Sequence, residues 1–256
     1  MSVPLADVVA EGRRVVESAT DLPVRLLGGV GVALHDHRPV PAALERGYGD
    51  LDVVVPAKSS RRATEVLTAA GYQPNDRFNA LHGAQRMLFY DTVNKRQVDV
   101  FVGVFSMCHR LDLTGRLDQH PYSLDAADLL LTKLQIHEIN RKDLVDAVRL
   151  LLTHENVDIA GGGDGGTNAL SLDRLRSVTS TDWGWFTTVT DNLRLVRTAA
   201  GDLLDPEDAA VVEGRADEID ESLRSAPKSM RWKARSVVGR KTPWYELPEE
   251  IGGAQG

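Results

Sequence analysis

Cysteine is all but missing from this chain. The single one, Cys108, leaves no internal disulfide to form and fits a reducing cytosol. Aromatic residues make up only 5%, so the core is expected to rest on Leu, Val and Ala. No apolar run approaches membrane-spanning length. The N-terminus lacks the basic start and continuous apolar stretch of a signal peptide. A soluble, cytoplasmic chain with no membrane partner is therefore expected. An excess of positive charge is also absent: the net charge of −7 argues against a surface built for non-specific nucleic-acid binding. It leaves room for a local basic patch. What is present is ordinary for a globular protein, with 42% hydrophobic and 26% charged residues. A length of 256 residues suits one large domain or two small ones.

The pattern divides the chain near its middle. Residues 4–19 place Leu5, Val8, Val9, Val15 and Val16 at helical spacing. A short strand over 24–27 runs into Gly28-Gly29, and a helix is expected over 30–35. Residues 38–49, with Pro39, Pro41, Gly47 and Gly49, read as irregular. The apolar run 51–55 reads as a strand, and a helix follows from Ser59 or Ser60 to Ala70. Strands are expected at 72–78, 85–91 and 95–105, the last two forming a hairpin through Thr92-Val93-Asn94. Helices are expected over 124–137, capped by Ser123, and from Asn140 to Leu152. The Gly-rich tract 160–167 reads as a linker or mobile loop. Beyond it the chain reads as helical, with starts at Ser171, around Trp185, and at Asp205-Pro206. The expected architecture is α/β (α+β), with a small mixed sheet and flanking helices in 1–122 and a helical half in 123–256.

Three groups of residues carry chemistry. In Tyr48-Gly49-Asp50-Leu51-Asp52 the two acids are one residue apart at the head of a strand, so their side chains share a face. Asp99 is a third acid inside the apolar strand Gln97-Val98-Asp99-Val100-Phe101-Val102. Neighbouring carboxylates repel, and hard divalent cations such as Mg²⁺ or Mn²⁺ remove that cost through oxygen ligands. Gly28-Gly29, between a strand and a helix, is a place where backbone N–H groups can face phosphate. Lys133 falls in the apolar arc of its helix, so it either snorkels or meets an anion. Asp143 and Asp146 share one face of the next helix. Asn140 with Asp143 looks like a cap and its third-position acid, whereas Asp146 has no such structural account.

Other motifs are weaker. His35-Asp36-His37 lacks further ligands at fitting spacing and reads as surface histidines. No Gly-x-Ser-x-Gly elbow occurs, and the Gly-rich tract lacks the Lys-Ser/Thr ending of a P-loop. The cations Arg224, Lys228, Arg231, Lys233, Arg235, Arg240 and Lys241, interleaved with Trp232 and Trp244, suit either a solvated helix face or contact with RNA.

Taken in order, Gly28-Gly29, Asp50-Leu51-Asp52, Asp99, Lys133 and Lys142-Asp143-Leu144-Val145-Asp146 resemble the pattern of the nucleotidyltransferase superfamily that includes DNA polymerase β. Within it the chain looks most like the AbiEii/MenT-type toxins of bacterial type IV toxin–antitoxin systems. The resemblance covers residues 26–152. It implies Mg²⁺ (or Mn²⁺) held by Asp50, Asp52 and Asp99, with Gly28, Gly29 and Lys133 binding the NTP. Asp99 would help deprotonate the acceptor hydroxyl, and Asp143 and Asp146 would position Lys133 or the base. The implied reaction moves an NMP from an NTP to a hydroxyl, with RNA (a tRNA 3′ end) or protein as acceptor and a cognate antitoxin as partner. Two rival readings are an antibiotic-modifying enzyme acting on an aminoglycoside-like acceptor and a catalytically silent binding module. Position 29 is Gly where many superfamily members carry Ser, and the stretch from Gly29 to Asp50 is long. An insertion is therefore expected near 38–49, with phosphate contact resting on backbone N–H groups.

Overall fold

Helix α1 (Val8–Ser18) opens at Asp7, whose side chain accepts from the Ala10 N–H. It is followed by β1 (Arg25–Leu27), the short helix α2 (Gly28–Ala33), and a 3-10 turn at Ala42–Leu44. Strand β2 (Leu51–Val55) and helix α3 (Ser60–Ala69) come next, then β3 (Gln73–Pro74), α4 (Asp76–His82), β4 (Arg86–Asp91) and β5 (Arg96–Val102). The computed structural model describes residues 2–158 and 169–247. Its main sheet has the order β1-β2-β5-β4-β3, with β2 and β5 parallel at the centre and the other pairs antiparallel. The architecture is a small mixed sheet in an α/β frame, with a largely helical second half.

The two faces of the sheet do different work. One presents Leu26, Leu51, Val53, Val55, Val98 and Val100 to α1 and α3, in a core closed by Val15, Ala63 and Leu67. The other presents Leu27, Val54 and Phe101 to the second half of the chain. Strand alternation puts Asp52 on the Val54 face and Asp99 on the Phe101 face. The acids therefore look toward the helical half rather than toward the α1/α3 core.

That second half begins with the short pair β6 (Val104–Ser106) and β7 (Arg110–Asp112), then α5 (Ala126–Leu134) and α6 (Arg141–Thr153). Strands β8 (Glu155–Val157) and β9 (Ala169–Ser171) pair in parallel. Helices α7 (Leu172–Thr179), α8 (Trp183–Leu203), α9 (Pro206–Ser225) and α10 (Met230–Val238) complete it. Leu129, Leu130, Val148, Leu151, Leu193 and Val212 share one core with Leu27 and Val54 of the sheet. Leu26 also bridges to Ser123, so the β1 edge is stitched to the segment leading into α5.

Several sequence expectations are corrected. The strand over 72–78 shrinks to two residues, because Asn75 caps α4 by accepting the Phe78 N–H. The strand over 95–105 breaks at Gly103, whose φ of +72° only glycine adopts readily and whose Cα lies against Ala57. Helix α5 starts at Ala126 because Asp125, not Ser123, is its cap. Ser123 hydrogen-bonds His120 and His35 instead. The chain beyond the Gly-rich tract is not wholly helical, since β9 follows it. That tract, 160–167, lies outside the described residues.

Candidate active site

Asp52 and Asp99 are register partners on the parallel strands β2 and β5. Both side chains emerge on the face opposite α1 and α3, while Asp50 precedes the strand and is exposed. Asp52 is pushed up to about 7 by burial first, then by the charges of Asp50 and Asp99; Lys133 and Arg86 oppose the shift without cancelling it. Asp52 also explains Gly28. Gly28 has a φ of +63°, and a Cβ there would collide with Asp52 Oδ2. Only a bare Cα lets this carboxylate lie against the β1–α2 junction. Asp99 is placed differently. Its Oδ1 accepts from Arg86 Nε at 2.7 Å and its Oδ2 from Gln97 Nε2 at 2.9 Å.

Lys133 does not snorkel. Its side chain is 7% exposed, and its ammonium sits 2.8 Å from Asp143 Oδ1 and 2.8 Å from Asp146 Oδ2. Burial works against the charge, but Asp146 and Asp143 outweigh it and the lysine pKa is raised. Asp143 also plays the capping part: its N–H donates to Asn140 Oδ1 and its Oδ2 accepts from Asn140 Nδ2. Asp146 is fully buried and takes a second cation, Arg46, whose Nε and Nη2 reach Oδ1 and Oδ2 at 2.8 and 2.7 Å. Burial would raise the Asp146 pKa, but Arg46 and Lys133 hold it below the usual carboxylate range.

The residues singled out in the sequence thus fall into two neighbouring sets. Gly28, Asp50, Asp52 and Asp99 gather at the sheet face, and Lys133, Asp143 and Asp146 gather on α5 and α6. Lys133 links the sets through its charge on Asp52. Gly29 lies between them, and the space beside it is taken by Arg46 and Tyr48, where a Cβ would overlap Arg46 Nη2 and touch Tyr48 Cδ1.

Donor chemistry decides whether a divalent cation fits. Asp50 and Asp52 offer hard oxygen ligands, and burial with the Asp50 and Asp99 charges raises the Asp52 pKa further than Lys133 and Arg86 lower it. One or two carboxylates with substrate phosphates is how Mg²⁺ is commonly held in phosphoryl-transfer sites. The pair fits that mode. Asp99 is already engaged by Arg86 and Gln97, and among the described residues no three carboxylate, histidine or cysteine side chains converge on one point.

Sequence reasoning missed Arg46, Tyr48, Arg86, Gln97 and Arg149. The segment 38–49 was expected to be an irregular insertion, yet Leu44 is fully buried and Tyr48 OH accepts from Arg149 Nη1 at 2.9 Å. Arg149 also makes a two-point pair with Asp36. No local periodicity marks such a segment; the one available signal was Arg46 standing four residues before Asp50. His35, expected at the surface, is buried and contacts His154 and Ser123.

Two cavities open at the surface, and none of Asp50, Asp52, Asp99 and Lys133 lines either; the smaller reaches Arg86, the partner of Asp99. The smaller, about 550 Å³, is walled by Arg86, Phe101, Lys58 and Phe78. The larger, about 1130 Å³, is walled by Arg174, Arg231, Arg235, Trp183, Trp244 and Tyr245 among others. Arg110 and Glu246 line both, so the two adjoin. No described helix is long and apolar enough to cross a membrane.

Among known proteins, no protein-family model matches the chain, and no curated protein does. Among solved structures, a protein provisionally named a nucleotidyltransferase from H. pylori aligns over 88% of this chain and 100% of its own, at 13% identity and a TM-score of 0.36. The STING-associated c-di-GMP synthase CdnE from Capnocytophaga granulosa aligns over 86% of this chain and 80% of its own, at 9% identity and a TM-score of 0.25. Identities this low and superpositions this loose leave the chemistry to be read from the site itself.

Proposed function

We propose that the chain is a metal-dependent nucleotidyltransferase that moves an NMP from an NTP to an acceptor hydroxyl. The observation that carries this reading is the register pairing of Asp52 with Asp99 beside Gly28, with the buried Lys133, held by Asp143 and Asp146, near enough for its charge to act on Asp52. Asp50 and Asp52 would hold Mg²⁺ or Mn²⁺, which when bound offsets phosphate charge and binds the oxygens of the transfer. The acceptor oxygen attacks the α-phosphorus, its bond to the bridging oxygen breaks, and pyrophosphate leaves. Asp99, oriented by Arg86 and Gln97, takes the proton of the acceptor hydroxyl. Lys133 supplies fixed positive charge where charge develops on the leaving phosphates.

The cavity walls favour an anionic acceptor with stackable bases, such as an RNA 3′ end, over a cationic drug. Arg110, Arg174, Arg231 and Arg235 stand there against Asp112, Asp182 and Glu246, beside Trp183, Trp244 and Tyr245. Between Ser222 and Tyr245 the sequence carries seven cations and no acid. A toxin-like role, with RNA or protein as target and a cognate antitoxin as partner, is the finer part of this proposal and rests on the sequence resemblance alone.

The test is transfer of label from each α-labelled NTP into total RNA, protein or an aminoglycoside, with Mg²⁺ or Mn²⁺. Label in RNA that disappears with Asp52→Ala is the expected result. Label in the aminoglycoside alone would favour the drug-modifying reading. An Asp52→Ala protein as active as the wild type would end the transferase reading, and a wild type that binds no NTP would leave a silent module.

A further inference from the structure

Arg46 is a cation beside Gly29 that no motif predicts, and its placement is constrained on several sides. Its Nε and Nη2 are clamped by both oxygens of the buried Asp146. Its guanidinium carbon lies 4.8 Å from the centre of the Tyr48 ring, and that ring is itself tethered through its hydroxyl to Arg149. Among the described residues its Nη1 meets only Gly47 O, at 3.4 Å. The side chain is 19% exposed. The Arg46 fork and the Tyr48 ring fill the space that any side chain at position 29 would need. Gly29 is the neighbour of Gly28, against which Asp52 lies.

Building on the transferase reading of the same site, we propose that Arg46 is the substrate-phosphate contact of this enzyme, with Gly29 kept bare to admit it. A guanidinium presents parallel N–H donors that match phosphate oxygens. Asp146 and Tyr48 fix that fork before substrate arrives, so little rotamer freedom remains to be lost on binding. The donors not used by Asp146 lie on the side of Gly29 and Gly47. The long stretch between Gly29 and Asp50 is then the device that carries this cation into the site, not an interruption of it. Asp146 acquires a purpose that spacing alone did not give: it holds Arg46 and Lys133 at a common carboxylate, setting two cations for one polyphosphate.

The test is equilibrium binding in EDTA of each NTP, of its nucleoside and of inorganic tripolyphosphate. Arg46→Ala is expected to weaken NTP and tripolyphosphate binding about 10–100-fold, the range for charge-assisted hydrogen bonds, and to leave nucleoside binding unchanged. Arg46→Lys, which keeps the charge but not the fork, should fall between. Gly29→Ala should weaken NTP binding in the wild type by displacing the guanidinium, and should add nothing in the Arg46→Ala background. If Arg46→Ala proves poorly folded, the single variants Gly29→Ala and Arg46→Lys still read the contact, because neither removes a cation from Asp146. Equal weakening of NTP and nucleoside, or a lowered melting temperature with unchanged NTP affinity, would overturn the assignment. An Arg46→Ala protein that binds NTP as tightly as the wild type overturns this assignment alone. A wild type that binds no NTP in EDTA and none with added Mg²⁺ or Mn²⁺ removes the transferase reading as well.

Discussion

The acids of the sheet and the acids of the helices sit side by side and are treated in opposite ways. Asp146 is fully buried, yet it touches Arg46 and Lys133 and its pKa is held down. The Asp52 pKa is raised to about 7 by burial first and then by the charges of Asp50 and Asp99, and among the described residues no cation hydrogen-bonds it. Charge on α6 is consumed in fixing geometry, whereas charge on β2 is left open for something that binds. Strain of that kind belongs where a cation or substrate can relieve it. The contrast predicts opposite signs for the same chemical change. Asp146→Asn strips Arg46 of its carboxylate and leaves Lys133 with Asp143 alone. Breaking a buried pair from one side costs about 3–5 kcal/mol, so the melting temperature should fall by roughly 10 °C. Thermal unfolding at neutral pH checks this, and a change within 2 °C, roughly what under 1 kcal/mol gives, would erase the distinction between the two regions.

Asp52→Asn should act the other way. Between the ordinary carboxylate value of 3.8 and the folded value of about 7, the native state holds a proton that the unfolded chain has released. Wild-type stability therefore falls as pH rises through that window and is lowest above it. An amide at position 52 has no charge to bury. At pH 8 the variant should be more stable than the metal-free wild type by something on the order of 2 kcal/mol. At pH 4 the two should be alike. Denaturant midpoints at both pH values decide it, and a variant less stable at pH 8 would mean that Asp52 is compensated after all. Added Mg²⁺ with NTP should narrow the gap by stabilising only the wild type.

Much of this arrangement was legible in the sequence because it depends on short-range spacing. Period-two alternation put Asp52 and Asp99 on one face of their strands, with Asp50 just ahead of β2, and a 3.6-residue period turned Lys133 inward and set Asp143 beside Asp146. Asn140, Ser171 and Asp205 announced their helices by capping chemistry. What stayed hidden depends on contacts between distant parts of the chain. Arg46 meets Asp146 across a hundred positions, and Arg86 reaches Asp99 from a neighbouring strand. Strands β7, β8 and β9 are three residues each, too short for alternation to show. The domain boundary drawn at 122–123 is crossed by a single core in which Leu27, Val54 and Phe101 pack with Leu129 and Val148.

A third place in the molecule settles the burial of polar groups by keeping charge out, and it sharpens the comparison. His35 and His120 stack with ring centres 4.3 Å apart, and His35 Nδ1 lies 3.2 Å from His154 Nε2. His37, Asp36, Arg25, Arg13 and Arg215 are the other ionisable groups whose charges act on these rings. Burial pushes His120 down to about 4 and His154 to about 3, and it lowers His35 in the same direction. A depressed histidine pKa gives stability that is complete above the unfolded value near 6.5 and is lost as pH falls toward the folded values. Over pH 7 to 4.5 this opposes Asp52, whose contribution grows as pH falls. The Asp52→Asn protein lacks this counter-contribution, so its acid decline should be steeper than that of the wild type. His120→Asn in that background should make the decline shallower by about 1 kcal/mol, read from urea midpoints at the two pH values. Parallel declines with and without His120 would show that its ring charges as freely in the native protein as in the unfolded chain.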